Sequence, residues 1–320
     1  MINFIVNIHK IFTMNLTGKN LIESPPSQDD YEKVTDVSAR YIDHTQVFPM
    51  IFNFINLTSL NLDHNGIMII PNFSHLINLK FLSLGTNHIQ QIPLWIFGLS
   101  NLSSLDLFRN QIRTTPNEIG KLTQLVDLNL GDNNITEINP VIFNLTQLVN
   151  LYIDQNNITE ISYDIGNLTR LTILDLSCNN IKSIPDSIGN LIDLNTLHLS
   201  ENIIETLPDS IGNLHQLFSL DISINNITEL PQTFGDLVNI RELFMSRNKI
   251  TKILFPFTKL TKLYLFQLDD MEYLPELSIY ENMAIDVGVS RITYNEYNDR
   301  YIEQQFRRKC SIVKSAKFQL

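Results

Sequence analysis

Seven carboxylates in this 320-residue chain fall on or beside short LxL triplets: Asp106, Asp127, Asp132, Asp154, Asp175, Glu201 and Asp221. Four aromatic residues, Phe81, Phe108, Tyr152 and Phe244, occupy matching places. Carboxylates so placed can chelate a divalent ion or focus a negative field on a ligand. The first option needs an EF-hand-like run of ligands, and none is present. The second needs only that the residues share a face, with the aromatics as apolar anchors. The same surface then suits a protein whose face is basic and partly apolar.

Other chemistry is poorly supplied. The chain has no GxxxxGK[ST], GxGxxG, HExxH or GxSxG motif, so phosphate cradling, zinc hydrolysis and the serine elbow have no carrier. Its seven histidines are scattered, with His64 and His198 on outward positions and His75 and His215 in connecting segments. Cys178 has no basic group expected in its own strand to lower its pKa. No catalytic residue, cofactor or metal is assigned, and no enzyme activity is expected.

The elements that position these residues repeat. Leu57, Leu79, Leu102, Leu125, Leu148, Leu171, Leu194, Leu217 and Ile240 head successive units, with a first step of 22 residues and seven of 23. Asn65, Asn87, Asn110, Asn133, Asn156, Asn179, Asn202, Asn225 and Asn248 keep the same beat. A period of this size marks a solenoid. In LxxLxL the alternate leucines of a short strand point inward, and burial requires the neighbouring units to stack. The asparagine amide, with two donors and an acceptor, can satisfy the backbone of its own and adjacent turns as a ladder. Pro71, Pro93, Pro116, Pro185, Pro208 and Pro231 open the return segments, because proline fixes φ and cannot extend a sheet. Asn139 and Ser162 stand in two of those places, so looser returns are expected there. The glycine of IGNL, as in Gly189, is expected to supply turn conformation.

The repeat LxxLxLxxNxIxxIPxxIGNLxx resembles the leucine-rich repeat family, and its return segment is similar to the intracellular Ras-group and scribble-like subclass. The resemblance implies an α/β repeat fold, a right-handed solenoid with a concave parallel β-sheet and short helical or irregular returns. It also implies protein binding through that sheet. Ten or eleven strands give a sheet roughly 50 Å long.

The resulting organisation is an extension and linker over 1–33, a degenerate capping repeat over 34–56, nine repeats over 57–262, a degenerate repeat over 263–285, and a helical cap with a basic tail over 286–320. Residues 1–16 read as an apolar helix over the end or a flexible tail. Thr293 and Glu296 form a capping box for a helix over 293–310. From Arg291 to Leu320 seven basic residues face three acidic ones, so any membrane contact is confined to this tail.

A formal charge of −11 argues against nucleic acid. Only Cys178 and Cys310 are present, too few for disulfide-stapled caps, which points to the cytoplasm. Nine N-x-S/T sequons, such as Asn56 and Asn101, point outward from the cell, but most follow from the NLT or NIT of the repeat itself. The function expected is a protein interaction scaffold. The alternatives are a regulatory subunit docking on a small GTPase, phosphatase or kinase, and a secreted or surface recognition protein.

Overall fold

The computed structural model describes residues 12–15, 31–42, 44–253, 255, 259–263, 265–267 and 291–293. The chain packs as two units, Met1–Ile158 and Thr159–Leu320.

In the first unit seven parallel strands lie side by side: β1 (Phe12–Asn15), β2 (Val34–Ser38), β3 (Ser59–Asn61), β4 (Phe81–Ser83), β5 (Ser104–Asp106), β6 (Asp127–Asn129) and β7 (Asn150–Tyr152). Their register advances by one coil per step: Leu60 pairs with Leu82, Leu82 with Leu105, Leu105 with Leu128 and Leu128 with Leu151. In the second unit β8 (Ile173–Asp175), β9 (Thr196–His198) and β10 (Ser219–Asp221) follow the same rule. There β11 (Glu229–Leu230) pairs with β13 (Lys252–Ile253), and β10 continues to β12 (Glu242–Phe244), β14 (Leu265–Gln267) and β15 (Arg291–Thr293).

Most of these strands are only three residues long because one leucine is all that each must aim inward. Leu105, Leu128 and Leu151 are at most 1% exposed while their strand neighbours are half-buried. Each such burial stabilises by roughly 1.5–3 kcal/mol before ordering costs. Beyond the strand the chain turns through a left-handed residue. His64, Thr86, Arg109, Asp132, Gln155, Cys178, Glu201, Ile224 and Arg247 all have φ between 50° and 59°. For a side chain with a Cβ that conformation costs about 1–2 kcal/mol. Bonds to the next coil impose it: Thr86 N–H donates to Phe108 O at 2.7 Å and Ile224 N–H to Ser246 O at 2.8 Å.

Within each unit the asparagine then locks a coil to its predecessor. Asn110 Nδ2 donates to Leu84 O of the coil before and to Leu107 O of its own, both at 3.0 Å. Its Oδ1 accepts Ile89 N–H at 3.0 Å. Asn133 repeats this with Leu107 O, Leu130 O and Ile112 N–H, and Asn225 does so in the second unit with Leu199 O, Ile222 O and Ile204 N–H.

The returns are 3-10 turns of five residues, such as Asn117–Lys121 and Asp209–Asn213. Pro116 and Pro208 precede them at φ −74° and −71°, and their carbonyls accept the first turn's N–H. The two returns without that proline are not looser. Asn139 accepts Val141 N–H and Ser162 accepts Asp164 N–H, which replaces a fixed φ by a side-chain cap.

The IGNL glycines need a second correction. Among the described residues only Gly66 has a left-handed φ among glycines, so turn conformation is not their reason. A Cβ on Gly189 would lie 2.6 Å from Ser210 O, and one on Gly212 would lie 2.5 Å from Thr233 O. These positions are kept bare by the next coil's backbone.

At the N-terminal side Val34, Val37, Ile42 and Phe48 are buried, the last in α1 (His44–Ile51). Phe12–Asn15 is a strand paired with β2 rather than helix or free tail, because β2 offers it an open edge. Thr293 closes β15. The helix expected after it and the basic tail lie outside the described residues.

Candidate functional site

Strand register sets the outward residues in rows. In the first unit one row runs Phe81, Ser104, Asp127, Asn150, and the next runs Ser83, Asp106, Asn129, Tyr152. A third row lies just past the strand ends and contains Gly85, Phe108, Gly131 and Asp154. Phe81 is 50% exposed. Phe108 is half-buried, since a Cβ on Gly131 would stand 3.2 Å from its ring. Bare Gly131 therefore leaves room for both that ring and the Asp154 carboxylate.

Several of the carboxylates are tied to the fold. Asp106 Oδ1 accepts Phe108 N–H at 2.8 Å, and Asn129 does the same for Gly131 N–H at 3.0 Å. Asp175 and Asp221 each accept the N–H and hydroxyl of the serine two residues on, at 3.0 and 2.6 Å and at 2.9 and 2.6 Å respectively. Asp127 accepts from Asn150 Nδ2 at 2.5 Å, and Asp132 faces Arg109 Nε at 3.5 Å. The outward column thus fastens the strand end as well as offering charge, and cations offset part of its field. Glu201 is exposed and Phe244 half-buried at the end of β12. Asp127, Asp132, Asp154, Phe81, Phe108 and Tyr152 lie with Asp106 in the first unit, while Asp175, Glu201, Asp221 and Phe244 lie in the second.

His198 is the residue that sequence reasoning passed over. Its register neighbours on either side are Asp175 and Asp221. Its Nδ1 lies 3.2 Å from Asp175 Oδ2. The signal was available: a histidine in a column of aspartates one period away on both sides.

Two carboxyls depart from the ordinary range in opposite directions. Burial raises Asp106, opposed by Phe108 N–H and reinforced by the charge of Asp63. For Asp175 burial also works upward, but the bonds from His198 and Ser177 outweigh it and the pKa is lowered. An acid raised by folding loses stability as pH climbs from its unfolded pKa through its folded one. An acid lowered by folding contributes stability above its unfolded pKa and loses it as pH falls through the folded one. At neutral pH Asp106→Asn is therefore expected to raise the unfolding midpoint and Asp175→Asn to lower it. Thermal melts at neutral pH and through a descending acid series check this, since the Asp106 difference should vanish below the ordinary aspartate range and the Asp175 difference only at lower pH still.

Among the described residues no three His, Cys, Asp or Glu side chains converge as metal ligands would. Nor is any helix there long and apolar enough to cross a membrane. Cys178 is half-buried on a left-handed turn.

Residues 186–284 match the model of a leucine-rich repeat region, and residues 56–76, 101–122 and 170–191 match single leucine-rich repeats. No curated protein sequence matches the chain. Among solved structures, a leucine-rich repeat protein of Leptospira interrogans is 26% identical, with TM-score 0.65 over 81% of this chain and 71% of its own. An internalin of Listeria monocytogenes is 25% identical, with TM-score 0.63 over 75% and 68%. The repeat ectodomain of the Arabidopsis thaliana receptor kinase GASSHO1/SCHENGEN3, solved in complex with CASPARIAN STRIP INTEGRITY FACTOR 2, is 26% identical, with TM-score 0.65 over 82% of this chain and 34% of its own.

Proposed function

We infer that this leucine-rich repeat protein, a solenoid with a parallel sheet and short 3-10 returns, works by binding a protein or peptide on the strand side of its coils. The observation that carries this is the row structure of the first unit. Phe81 is half exposed on a strand whose inward leucine alone serves the core, and Asp127, Tyr152 and Asp154 follow on neighbouring coils. Aromatic anchors among carboxylates suit a partner with a basic, partly apolar face. The Arabidopsis ectodomain, solved with its bound factor, supports this use of the fold. In the second unit Asp175, Glu201, Asp221 and Phe244 extend the same chemistry. The role is that of a scaffold or adaptor, or of a regulatory subunit on a signalling enzyme.

Location in the cytoplasm, and kinship with the Ras-group and scribble-like repeats, rest on the two cysteines and the IPxxIGNL return. The sequons weigh little against it. Asn56 and Asn101 donate their amide nitrogens to Glu32 O and Ile77 O of the coil before, both at 2.8 Å. The ectodomain and internalin likenesses favour a secreted reading instead.

The test uses the wild type beside Asp106→Asn/Asp154→Asn. Asparagine already serves as the turn acceptor at position 129, the register partner of Asp106, and at position 154 an amide keeps an acceptor oxygen for Gln155 Nε2, so these bonds are kept while two charges leave. Capture from native cells should recover a partner whose affinity falls by about tenfold in the variant at low salt. Equal recovery by both forms defeats the strand-side assignment. The intact mass of the same native preparation, bare or carrying glycan, separates the two locations.

A further inference from the structure

The row just past the strand ends of the first unit reads Asp63, Gly85, Phe108, Gly131 and Asp154, one residue per coil. A ring stands in the middle, with a glycine on each side of it and a carboxylate beyond each glycine. The corresponding row of the second unit is Ser177, Ser200, Ser223 and Ser246, so the arrangement is not a requirement of the repeat.

Contacts across the coils bring these residues together. Asp63 reaches forward one coil, where its Oδ1 accepts Gly85 N–H at 2.8 Å. A Cβ on Gly85 would stand 3.3 Å from that oxygen and 3.5 Å from Phe108 O. Asp154 reaches back one coil. A Cβ on Gly131 would strike its Oδ1 and stand 3.0 Å from its Cγ and 3.2 Å from the Phe108 ring. The two glycines thus let a carboxylate approach Phe108 from either side. A third carboxylate, Asp106, accepts Phe108 N–H at 2.8 Å. Its pKa is pushed up by burial and further by the charge of Asp63, so these acids feel one another. Arg40 Nε meets Asp63 on the other oxygen, at 3.7 Å. Among the described residues arginines lie over the rings of Tyr41 and Phe218, and none over Phe108.

We propose that Phe108 and its flanking glycines and carboxylates seat one arginine side chain of the protein or peptide bound on the strand side, an inference that rests on that reading. The chemistry selects the residue. A ring face attracts a cation, and carboxylates in line with it bind the N–H groups of that cation. A planar guanidinium does both at once, stacking on the ring while its edge donates forked bonds. An ammonium is a compact, strongly hydrated point charge and does this less well. A metal ion fits poorly, since the ring supplies no ligand and no three described acidic, His or Cys side chains converge.

The probe is the peptide acetyl-Leu-Arg-Leu-amide beside its lysine and citrulline counterparts. Each is titrated into the full chain and followed through the amide resonances of Gly85 and Gly131. The arginine peptide should move both with a Kd of roughly 1–10 mM; the lysine peptide should bind about threefold more weakly. The citrulline peptide keeps the shape without the charge and should bind about tenfold more weakly. Phe108→Leu keeps an apolar side chain without a ring face, and should weaken the arginine peptide about fivefold. Gly131→Ala keeps every charge but fills the seat, and should weaken it about tenfold. An unchanged thermal midpoint shows that both variants remain folded. Equal binding of the arginine and citrulline peptides overturns the proposal, as does an unaltered affinity in Gly131→Ala or the lack of any shift. The strand-side reading fails separately. A native partner lost by Asp106→Asn/Asp154→Asn but retained by Gly131→Ala keeps that reading and refutes the arginine seat.

Discussion

Asn110→Ala is expected to lower the unfolding free energy by about 3–5 kcal/mol, because one buried N–H loses its acceptor and two buried carbonyls each lose one of two donors. Ile89 N–H loses its acceptor, while the carbonyls of Leu84 and Leu107 lose one donor each and keep Asn87 Nδ2 and Asn133 Nδ2. Asn110 is only 8% exposed, so water has little access to replace the amide. A methyl group supplies neither function. Asn110→Asp separates the two halves of the bond set. It keeps an acceptor for Ile89 N–H, gives up both donors and places a charge inside the coil, so it is expected to cost at least as much near neutral pH. Denaturant titration followed by circular dichroism reads the result. A loss below about 1 kcal/mol for the alanine variant would mean that solvent enters the ladder after all.

Gly212→Ala has the second largest expected cost, about 2–3 kcal/mol. The added carbon would lie 2.5 Å from Thr233 O and 2.7 Å from Thr233 Cβ. The first of these is backbone of the next coil, which cannot rotate aside as a side chain could. Relief requires that the two returns separate, and this loosens Ile211 and Phe234, both fully buried. Gly98→Ala is the internal control, since a Cβ there meets nothing within 4 Å. It should be neutral or stabilising by up to about 1 kcal/mol through the unfolded chain. Equal losses for the two alanines would place the cost in backbone conformation rather than in coil spacing.

The two glycines show what one-dimensional reading reaches. The period, the inward leucines and the parallel strands follow from local rules applied nine times over. Gly212 was legible as special, but its reason was not, because the distance from Thr233 is a property of stacking. The left-handed residue before each ladder asparagine left no trace in composition. Thr86 and Ile224 are poor choices for that backbone, and the bonds to Phe108 O and Ser246 O override their preference. On the outward columns a carboxylate that fastens its own strand end looks the same in sequence as a free one. Asp106 and Asp175 therefore needed coordinates to reveal what they hold. His198 was visible as an outward residue, but its pairing with Asp175 depends on register.

The ladder also decides how such a chain can lengthen. Each asparagine serves the coil before it and is positioned by the coil after it. A duplicated segment of one whole period therefore arrives with its polar groups already matched at both seams, and no other part of the gene has to change. An insertion of any other length on the strand side would leave donors and acceptors facing nothing. The return side obeys no such rule. The single 22-residue step shows this, because the missing residue falls between Pro71 and Phe73, beyond the span from Asn65 to Ile67 that bonds to Asn87 Oδ1. Small deletions and substitutions can accumulate along one flank of the molecule while the other is copied only in full units, and lineages of this chain should differ by whole coils and by return-segment detail.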